Sequence, residues 1–244
     1  MLEIRALSVR TDRRRLLHRL HLQIPMQGVT ALLGPSGCGK TTVLKWLAGV
    51  PMPELQASGL LLLDRVPLDR PSRAITYQPQ GDALFPWLSV AENAGLGLRV
   101  AGLPPRTIRN RVLPLLDVFG LDGTADLFPH QLSGGMRQRV AFLRTVLQDG
   151  RVLLLDEPFS ALDAVTRMKM QDWLAHRLDA DARAVLLVTH DLHEATRLAD
   201  RVIVMGTDPD QPVLTCLTID MPRDRRGETA LAPLREQLAT LLLR

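Results

Sequence analysis

One short segment constrains the fold of this 244-residue chain more than any other. The segment GPSGCGKT follows the apolar run Val29–Leu33 and precedes the helical pattern Lys40–Ala48. It matches G-x-x-x-x-G-K-[ST] between a strand and a helix, so it predicts a loop whose backbone amides surround phosphate groups. The residues expected to contact phosphate are Gly34, Pro35, Ser36, Gly37, Cys38, Gly39, Lys40, Thr41 and Thr42.

Side chains with specific expected roles lie in this loop and in a second motif. Lys40 is expected to place a charge near the β- and γ-phosphates, and the Thr41 hydroxyl to hold Mg²⁺. The segment VLLLDEP, Val152–Pro158, ends an apolar run with two carboxylates. We expect Asp156 to orient Mg²⁺. Glu157 is then free to polarise a water molecule for attack on the γ-phosphate.

Apolar runs alternate with helical patterns along much of the chain, which predicts a parallel sheet with helices on both faces. After the first strand, the predicted core strands are 152–155, 184–188 and 202–205. Alternating hydrophobicity over 2–9 and 20–24 predicts half-exposed antiparallel strands, which 60–63 is expected to join.

Strand patterns are absent between about 88 and 149, which predicts a helical insert. Ser89 with Glu92 is a capping-box pattern that opens one helix. Pro114 interrupts a second apolar helix face and is expected to kink or split it. The pattern loosens after residue 205, so 206–244 is predicted to be a tail with a helix over 231–243.

A second candidate anion site lies in HQLSGGMRQRV, His130–Val140. A serine and two glycines open a predicted helix, whose free amides and dipole favour negative charge. His190 ends the segment AVLLVTH. A lone histidine is more often structural than catalytic, but ligands gather at the carboxyl ends of strands in open α/β sheets, which favours a functional role.

Composition excludes several classes of protein. No run of eighteen uncharged apolar residues exists, which argues against a membrane span, and the N-terminal segment has no signal-peptide core. Two cysteines are too few for a disulfide scaffold or a four-cysteine zinc site. The formal charge is +4, but the arginines are scattered, and RRR at 13–15 is expected on a solvated turn. We therefore expect a cytosolic protein with no nucleic-acid partner.

The segments GPSGCGKTT, LSGGMRQR, LLLDEPFSALD and VTHD, in this order and spacing, resemble the ATPase subunits of ABC transporters over roughly residues 2–205. The resemblance implies an α/β fold with a RecA-like P-loop NTPase core. That core would comprise 1–87 and 150–205, with an antiparallel β subdomain and a helical subdomain at 88–149.

The resemblance also assigns roles to matching positions, with ATP and Mg²⁺ as the ligands. Glu157 resembles the catalytic base, and His190 the switch histidine that contacts the γ-phosphate. Asp163 resembles the residue that communicates across a dimer. Gln80 resembles the glutamine that senses nucleotide, joins the metal site and links to the membrane subunit, with Gln78 as a rival.

Head-to-tail pairing, as a homodimer or with another ABC ATPase, is also implied by the resemblance. It would explain the second anion site, because the signature segment of one subunit would close on the ATP held by its partner. The residues assigned to this contact are Ser133, Gly134, Gly135 and Gln138.

One feature departs from the family pattern. Members of the family usually place an aromatic ring near the N-terminus to stack on adenine, but this chain has no Phe, Tyr or Trp before Trp46. Thr11 lies about where the ring is expected. Arg10, or one of the arginines at 13–15, is a candidate to stack through its guanidinium plane instead.

The sequence features leave three candidate functions. The first is the energy-coupling subunit of an importer on the inner face of the cell membrane, with LFPW at 84–87 helping to receive a permease helix, unless Phe85 and Trp87 are core residues. A solute-binding protein would then be an indirect partner, and the motifs look most like ATPases for nitrate, sulfonates, taurine or thiamine and its precursors. The second is a soluble ABC ATPase acting on nucleic acid or ribosomes. The third is an unrelated P-loop kinase or GTPase, in which LSGGMRQR would have no purpose.

Overall fold

A computed structural model of the chain describes residues 1–180 and 183–242. In chain order its strands are β1 (Leu2–Arg10), β2 (Arg15–Ile24), β3 (Gly28–Leu33), β4 (Gln56–Leu63), β5 (Val66–Pro67), β6 (Ile75–Gln78), β7 (Val152–Asp156), β8 (Ala184–Val188), β9 (Arg201–Met205) and β10 (Val213–Thr218). Its helices are α1 (Lys40–Ala48), α2 (Val90–Ala94), α3 (Leu96–Val100), α4 (Pro105–Val118), α5 (Gly134–Val146), α6 (Ala164–Ala180), α7 (Leu192–Leu198) and α8 (Glu228–Leu242). Short 3₁₀ turns occupy Pro129–Gln131 and Arg223–Arg225.

The strands form two sheets. The larger sheet has the order β10-β9-β3-β8-β7-β6, in which the paired strands from β9 to β6 run parallel and β10 is antiparallel to β9. The smaller sheet is antiparallel, with the order β2-β1-β4-β5. The predicted parallel core and antiparallel part are therefore both confirmed.

The larger sheet is buried on both faces, which is why its strands read as continuous apolar runs. Leu153 and Leu155 of β7 face a core built with helices of the 88–149 region, including Val140 of α5. Leu154, on the opposite face of β7, packs in a second core with α1 and the smaller sheet. Helix α1 lies in this second core through Val43, Leu44, Trp46 and Leu47.

The predicted helical insert over 88–149 contains α2, α3, α4 and α5, and no strand is present in this range, all of which the structure describes. Ser89 and Glu92 form the predicted capping box at the start of α2. Helix α4 runs without a break from Pro105 to Val118 with Pro114 inside it, so the predicted split does not occur. Val112 and Leu116 anchor the apolar face of α4 in the core and hold it on both sides of the proline.

Residues 206–242 contain more structure than the sequence indicates. Strand β10 extends the larger sheet, and α8 packs against α7 with Leu231 and Leu238 buried. Arg226, whose side chain is 2% exposed, donates to the carbonyls of Arg197 and Ala199 at the end of α7. The predicted helix over 231–243 is present as α8, and residue 243 lies outside the described residues.

No helix in the described part of the chain is long and apolar enough to cross a bilayer.

Candidate active site

The carboxyl ends of β3, β7 and β8 meet at one edge of the larger sheet. Leu32 of β3 and Asp156 of β7 both pair with Val188 of β8, so these strands end at the same level. Parallel strands in such register place the segments that follow them side by side. The phosphate loop, Glu157 and His190 follow these strands, and the register therefore brings three separate sequence motifs together.

The phosphate loop needs glycine for its backbone conformation. Gly37 and Gly39 have φ values of 81° and 101°, which side-chain-bearing residues rarely adopt. A Cβ on Gly39 would also lie 3.1 Å from Leu17 Cδ2. Gly39 precedes α1 and makes no side-chain cap, so the first amides of α1 are left for a ligand.

Lys40 is folded back onto its own loop. Its ammonium donates to the carbonyls of Gly34 and Pro35 at 2.7 and 2.9 Å, and the residue is 8% exposed. These charge-assisted hydrogen bonds hold the Lys40 ammonium within the phosphate loop.

The residues predicted to hold Mg²⁺ are adjacent in space. The Thr41 hydroxyl donates to Asp156 Oδ1 at 3.0 Å, and the hydroxyl of Tyr77 lies 3.4 Å from Oδ2. Burial raises the pKa of Asp156, although the hydrogen bond from Thr41 opposes the shift. One carboxylate and one hydroxyl beside a phosphate loop fit Mg²⁺, which usually binds few protein ligands and completes its shell with phosphate and water. A bound cation would also hold Asp156 in its ionised form.

Glu157 lies between the two other residues predicted to be catalytic. Its Oε1 is 3.2 Å from Nδ1 of His190, and its Oε2 accepts from Nε2 of Gln80 at 3.2 Å. The backbone of Glu157 has φ of 47°, a left-handed conformation that is costly for a residue with a side chain. The amide of Glu157 donates to the Val188 carbonyl at 2.9 Å, which ties this turn to β8.

Polar contacts on α7 hold the segment that carries His190. The Thr189 hydroxyl donates to Glu194 Oε2 at 2.8 Å, and Asp191 caps α7 by accepting from the amides of His193 and Glu194. Glu194 is 5% exposed, and burial raises its pKa to about 8. Glu194 is not among the residues predicted from the sequence, in which its spacing from Thr189 across a helix start is the only signal that could have indicated it.

The two candidate glutamines lie in different environments. Gln80 is exposed and lines a cavity of about 370 Å³ together with Glu157 and the phosphate loop. Gln78 is fully buried in β6, and its side-chain amide has no hydrogen-bond partner among the described residues. The geometry therefore places Gln80, and not its rival, beside the reacting groups.

The predicted signature segment opens α5 away from this cavity. Ser133 caps the helix by accepting from the Met136 amide at 3.3 Å, and Ser133 and Gly134 are exposed. No residue of the signature is among those that line the cavity in the described part of the chain. The two segments predicted to bind phosphate therefore lie at separate places in the described part of the chain.

Comparison with known proteins agrees with this geometry. A family profile described as ABC transporter matches residues 17–160, which is more than half of the chain.

The chain belongs to the ABC transporter family.

Two relatives are similar over most of their length. The taurine import ATP-binding protein TauB of Rhizobium johnstonii is 39% identical over 93% of this chain and 88% of its own. The aliphatic sulfonates import ATP-binding protein SsuB 1 of Xanthomonas axonopodis pv. citri is 41% identical over 99% of this chain and 96% of its own. Among solved structures, the dimeric post-hydrolysis state of the ATP-binding cassette MJ0796, bound to ADP and Pi, is 27% identical with a TM-score of 0.79. It is matched over 91% of this chain and all of that chain. The protein is therefore an ABC-type ATPase with the cassette fold.

Within this ABC ATPase, Gln138 does not face outward with the rest of the signature. It is 4% exposed, and its amide donates to the Pro158 carbonyl at 3.2 Å. The family resemblance assigns Gln138 to the partner's nucleotide, whereas in the structure it joins α5 to the turn that contains Glu157. Gln138 lies one helical turn beyond Gly134 on the same side of α5, and it is buried because the turn at Pro158 covers this part of the helix.

Asp163 has a local structural role in addition to any role across a dimer. It caps α6, since its Oδ1 accepts from the Thr166 amide at 3.0 Å. The Thr166 amide and further hydrogen bonds at the helix start lower the pKa of Asp163. The residue is exposed.

The ABC ATPase also exposes an aromatic pair that the sequence left undecided between core and surface. Phe85 and Trp87 are 39% and 68% exposed, and their ring centroids are 5.3 Å apart. The buried amide of Asn93 shapes their loop by accepting from the Phe85 amide and donating to the carbonyls of Phe85, Leu88 and Ser89. Sequence reasoning missed Asn93.

The loop that follows Gln80 is fastened to the signature helix. Arg137 donates to Asp82 Oδ2 at 2.9 Å, and Arg144 donates to the carbonyls of Asp82 and Ala83 at 2.9 and 2.8 Å. These three hydrogen bonds join the loop to both the first and the last turns of α5.

Proposed function

We propose that this ABC ATPase is the energy-coupling subunit of an importer, in which two ATPase subunits close head to tail on ATP. The observation that carries the proposal is the pair of glycines in the signature. Apart from its chain neighbours and the backbone of its own helix, a Cβ on Gly134 would meet no atom of the described residues closer than 3.9 Å, and one on Gly135 none closer than 3.6 Å. Neither glycine has a positive φ. The chain's own fold therefore does not require glycine at these positions.

The requirement for glycine at positions 134 and 135 comes from a molecule outside the chain. The 13-residue helix α5 begins at these glycines, and its free amides favour an anion that approaches closely. Ser133, the helix cap, still has a hydroxyl hydrogen to donate to a phosphate oxygen. Because the segment lies away from its own phosphate loop, the anion is the γ-phosphate of ATP held by the partner subunit.

The hydrolytic step belongs to the residues around Glu157. Mg²⁺, held by Thr41 and Asp156 with Gln80 beside them, would offset charge on the phosphates when bound. Glu157 accepts the proton of the attacking water, and Gln80 orients the carboxylate of Glu157 through its 3.2 Å hydrogen bond. His190 contacts the γ-phosphate and senses its loss through the same carboxylate. Hydrolysis would thus remove the group that joins the two subunits and reopen the pair.

The aromatic pair supplies the link to the membrane. Phe85 and Trp87 form an apolar surface anchor of the kind that is enriched at protein interfaces, and we propose that it receives a helix of a membrane permease. The contacts of Asp82 with α5 carry the resulting displacement to both the signature and Gln80. We therefore propose that the protein acts on the inner face of the cell membrane, with a solute-binding protein as an indirect partner.

The cargo class is proposed from the relatives alone. Two relatives are named for taurine and aliphatic sulfonates, so we propose a small organic sulfonate. Identification of the solute-binding protein that co-purifies with the permease, and of its ligand, tests this assignment.

The head-to-tail arrangement is tested with Glu157→Gln, which removes the base but leaves the phosphate contacts intact. We expect hydrolysis to fall by about a hundredfold or more. The variant with MgATP should elute as a dimer, with its mass measured by light scattering. Adding Ser133→Arg should abolish the dimer, because the side chain fills the space that the partner's γ-phosphate needs, while ATP affinity of each monomer is retained.

Thr218→Arg in the same background is the matched control. Thr218 is exposed and pairs with Arg201 at the amino end of the parallel strands, opposite the edge that carries the phosphate loop. This variant should remain a dimer. Loss of monomer ATP binding in Ser133→Arg would show that the signature contacts its own nucleotide, and a dimer that survives Ser133→Arg would refute the head-to-tail contact.

A further inference from the structure

The nucleotide cavity is lined by two chemically different groups of residues. Most of the lining is the phosphate loop with Gln80 and Glu157, which the phosphates, the metal and the attacking water engage. The remaining lining residues are Arg14 and Leu16, from the turn between β1 and β2 and the start of β2. Among the side chains that line this cavity, these two are the ones without an expected role toward phosphate, metal or water.

The turn that carries Arg14 is built by Thr11. The Thr11 hydroxyl oxygen accepts from the amides of Arg13 and Arg14 at 3.2 and 3.0 Å, and the Thr11 amide donates to the Arg14 carbonyl at 2.9 Å. These bonds close the turn on itself. Thr11 is therefore the residue that fixes the backbone of Arg14, and it is not an open position for a ring.

The neighbouring arginines differ in availability. Arg10 donates twice to Gln56 Oε1, at 2.9 and 2.7 Å, and Arg15 bonds Asp210 at 3.1 Å. Arg13 does not line the cavity. Within the described part of the chain, the Arg14 side chain has no hydrogen bond or ion pair, and its guanidinium is therefore available to a ligand.

We infer that Arg14 holds the nucleobase by its face and that the site accepts nucleoside triphosphates with little regard to the base. The inference rests on the proposed binding of ATP at the phosphate loop. A guanidinium plane stacks on any purine or pyrimidine, and the Leu16 methyl groups add apolar contact without direction. A site rejects a wrong base strongly only when it has buried hydrogen-bonding groups that the wrong base leaves unpaired. Neither Arg14 nor Leu16 supplies an acceptor or an amide to read a base edge.

The test compares MgATP, MgGTP and MgCTP with inorganic tripolyphosphate, which has no base, by titration calorimetry on the full chain. We expect the ATP and GTP dissociation constants to agree within about tenfold. Arg14→Ala should weaken ATP and GTP by about two- to fivefold more than it weakens tripolyphosphate, the range of an exposed cation–π contact. Arg14→Tyr should recover this loss, since a ring also stacks on bases.

Arg13→Ala is the matched control, because it removes the same charge from the same turn and should alter all ligands equally. The inference is overturned if Arg14→Ala weakens tripolyphosphate as much as ATP, if Arg13→Ala reproduces the selective loss, or if the unmodified protein prefers ATP over GTP by more than tenfold. If the proposed phosphate site itself were wrong, the binding data would differ from all three of these results. In that case tripolyphosphate would bind Lys40→Ala as tightly as the unmodified protein.

Discussion

Replacement of Asn93 tests the structure of the aromatic loop more sharply than any change to the rings themselves. Asn93 is fully buried, and its amide accepts from the Phe85 amide at 2.9 Å. It also lies within 3.1, 2.8 and 3.1 Å of the carbonyls of Phe85, Leu88 and Ser89. The amide has two hydrogens, so one of them is shared between two carbonyls.

The expected cost follows from this count. Three full hydrogen bonds at about 1 kcal/mol net each give a loss of about 3 kcal/mol in the free energy of unfolding for Asn93→Ala. That is a large fraction of the ~5–15 kcal/mol of a typical domain. Asn93→Asp should cost more than Asn93→Ala, because it keeps the size of the side chain but turns carboxylate oxygen toward three carbonyl oxygens.

The assay is urea denaturation followed by circular dichroism, with hydrogen exchange measured over 85–89. Asn110→Ala is the matched control, since Asn110 lies on an exposed part of α4 and should change stability by no more than about 0.5 kcal/mol. Binding of tripolyphosphate should be unchanged in both variants, because the phosphate loop is untouched. An Asn93→Ala protein as stable as Asn110→Ala, with unaltered exchange at 85–89, would refute the role assigned to the amide.

Two further predictions concern buried reactive groups. The pKa of Glu194 is raised to about 8 in the native state, from an ordinary value of 4.5 in the unfolded chain. Between these two values the native state holds a proton that the unfolded chain has released. The stability that this group contributes is therefore present near pH 5 and lost as the pH rises toward 8. Glu194→Gln should remove up to about 1.4 kcal/mol per pH unit from that slope, measured by urea titrations at about pH 6, 7 and 8, and parallel slopes for both proteins would contradict the assignment. Cys38 is buried in the phosphate loop and Cys216 is exposed on β10, so maleimide should label Cys216 first without loss of ATPase activity, and MgATP should protect the slower thiol. Mass spectrometry of the singly labelled protein settles the order, and early labelling at Cys38 would show that the loop is more open than described.

Sequence patterns were sufficient where a residue's role depends on its neighbours along the chain. The strand before the phosphate loop, the capping box at Ser89 and the cap at Ser133 are local, and all three were predicted. The position of Asp156 and Glu157 directly after an apolar run likewise predicted that they lie at a strand end. The meeting of these groups required the parallel register of β3, β7 and β8, which the apolar runs indicate but do not specify.

Residues whose partners are distant in sequence were missed. Tyr77 reaches Asp156 from a neighbouring strand, and Arg144 supports the loop at Asp82 from another helix. Neither residue type is unusual for its element, so no local pattern distinguishes it. Pro114 shows the converse, because a strong local rule predicted a kink or a split, and the packing of Val112 and Leu116 on either side keeps α4 unsplit.

The two sets of glycines show where local reasoning ends. In the sequence, the glycines of the phosphate loop and those of the signature look alike, since both precede a helix and both favour an anion. The structure separates them, because Gly37 and Gly39 adopt positive φ values that their own loop requires, whereas Gly134 and Gly135 have ordinary backbones and space for a Cβ. The first pair is explained within one chain. The second pair has no explanation until another molecule is brought against it, and a phosphate that must approach the backbone closely supplies that explanation. The absence of an internal reason for these glycines is thus the strongest structural argument that the site is completed by a second subunit.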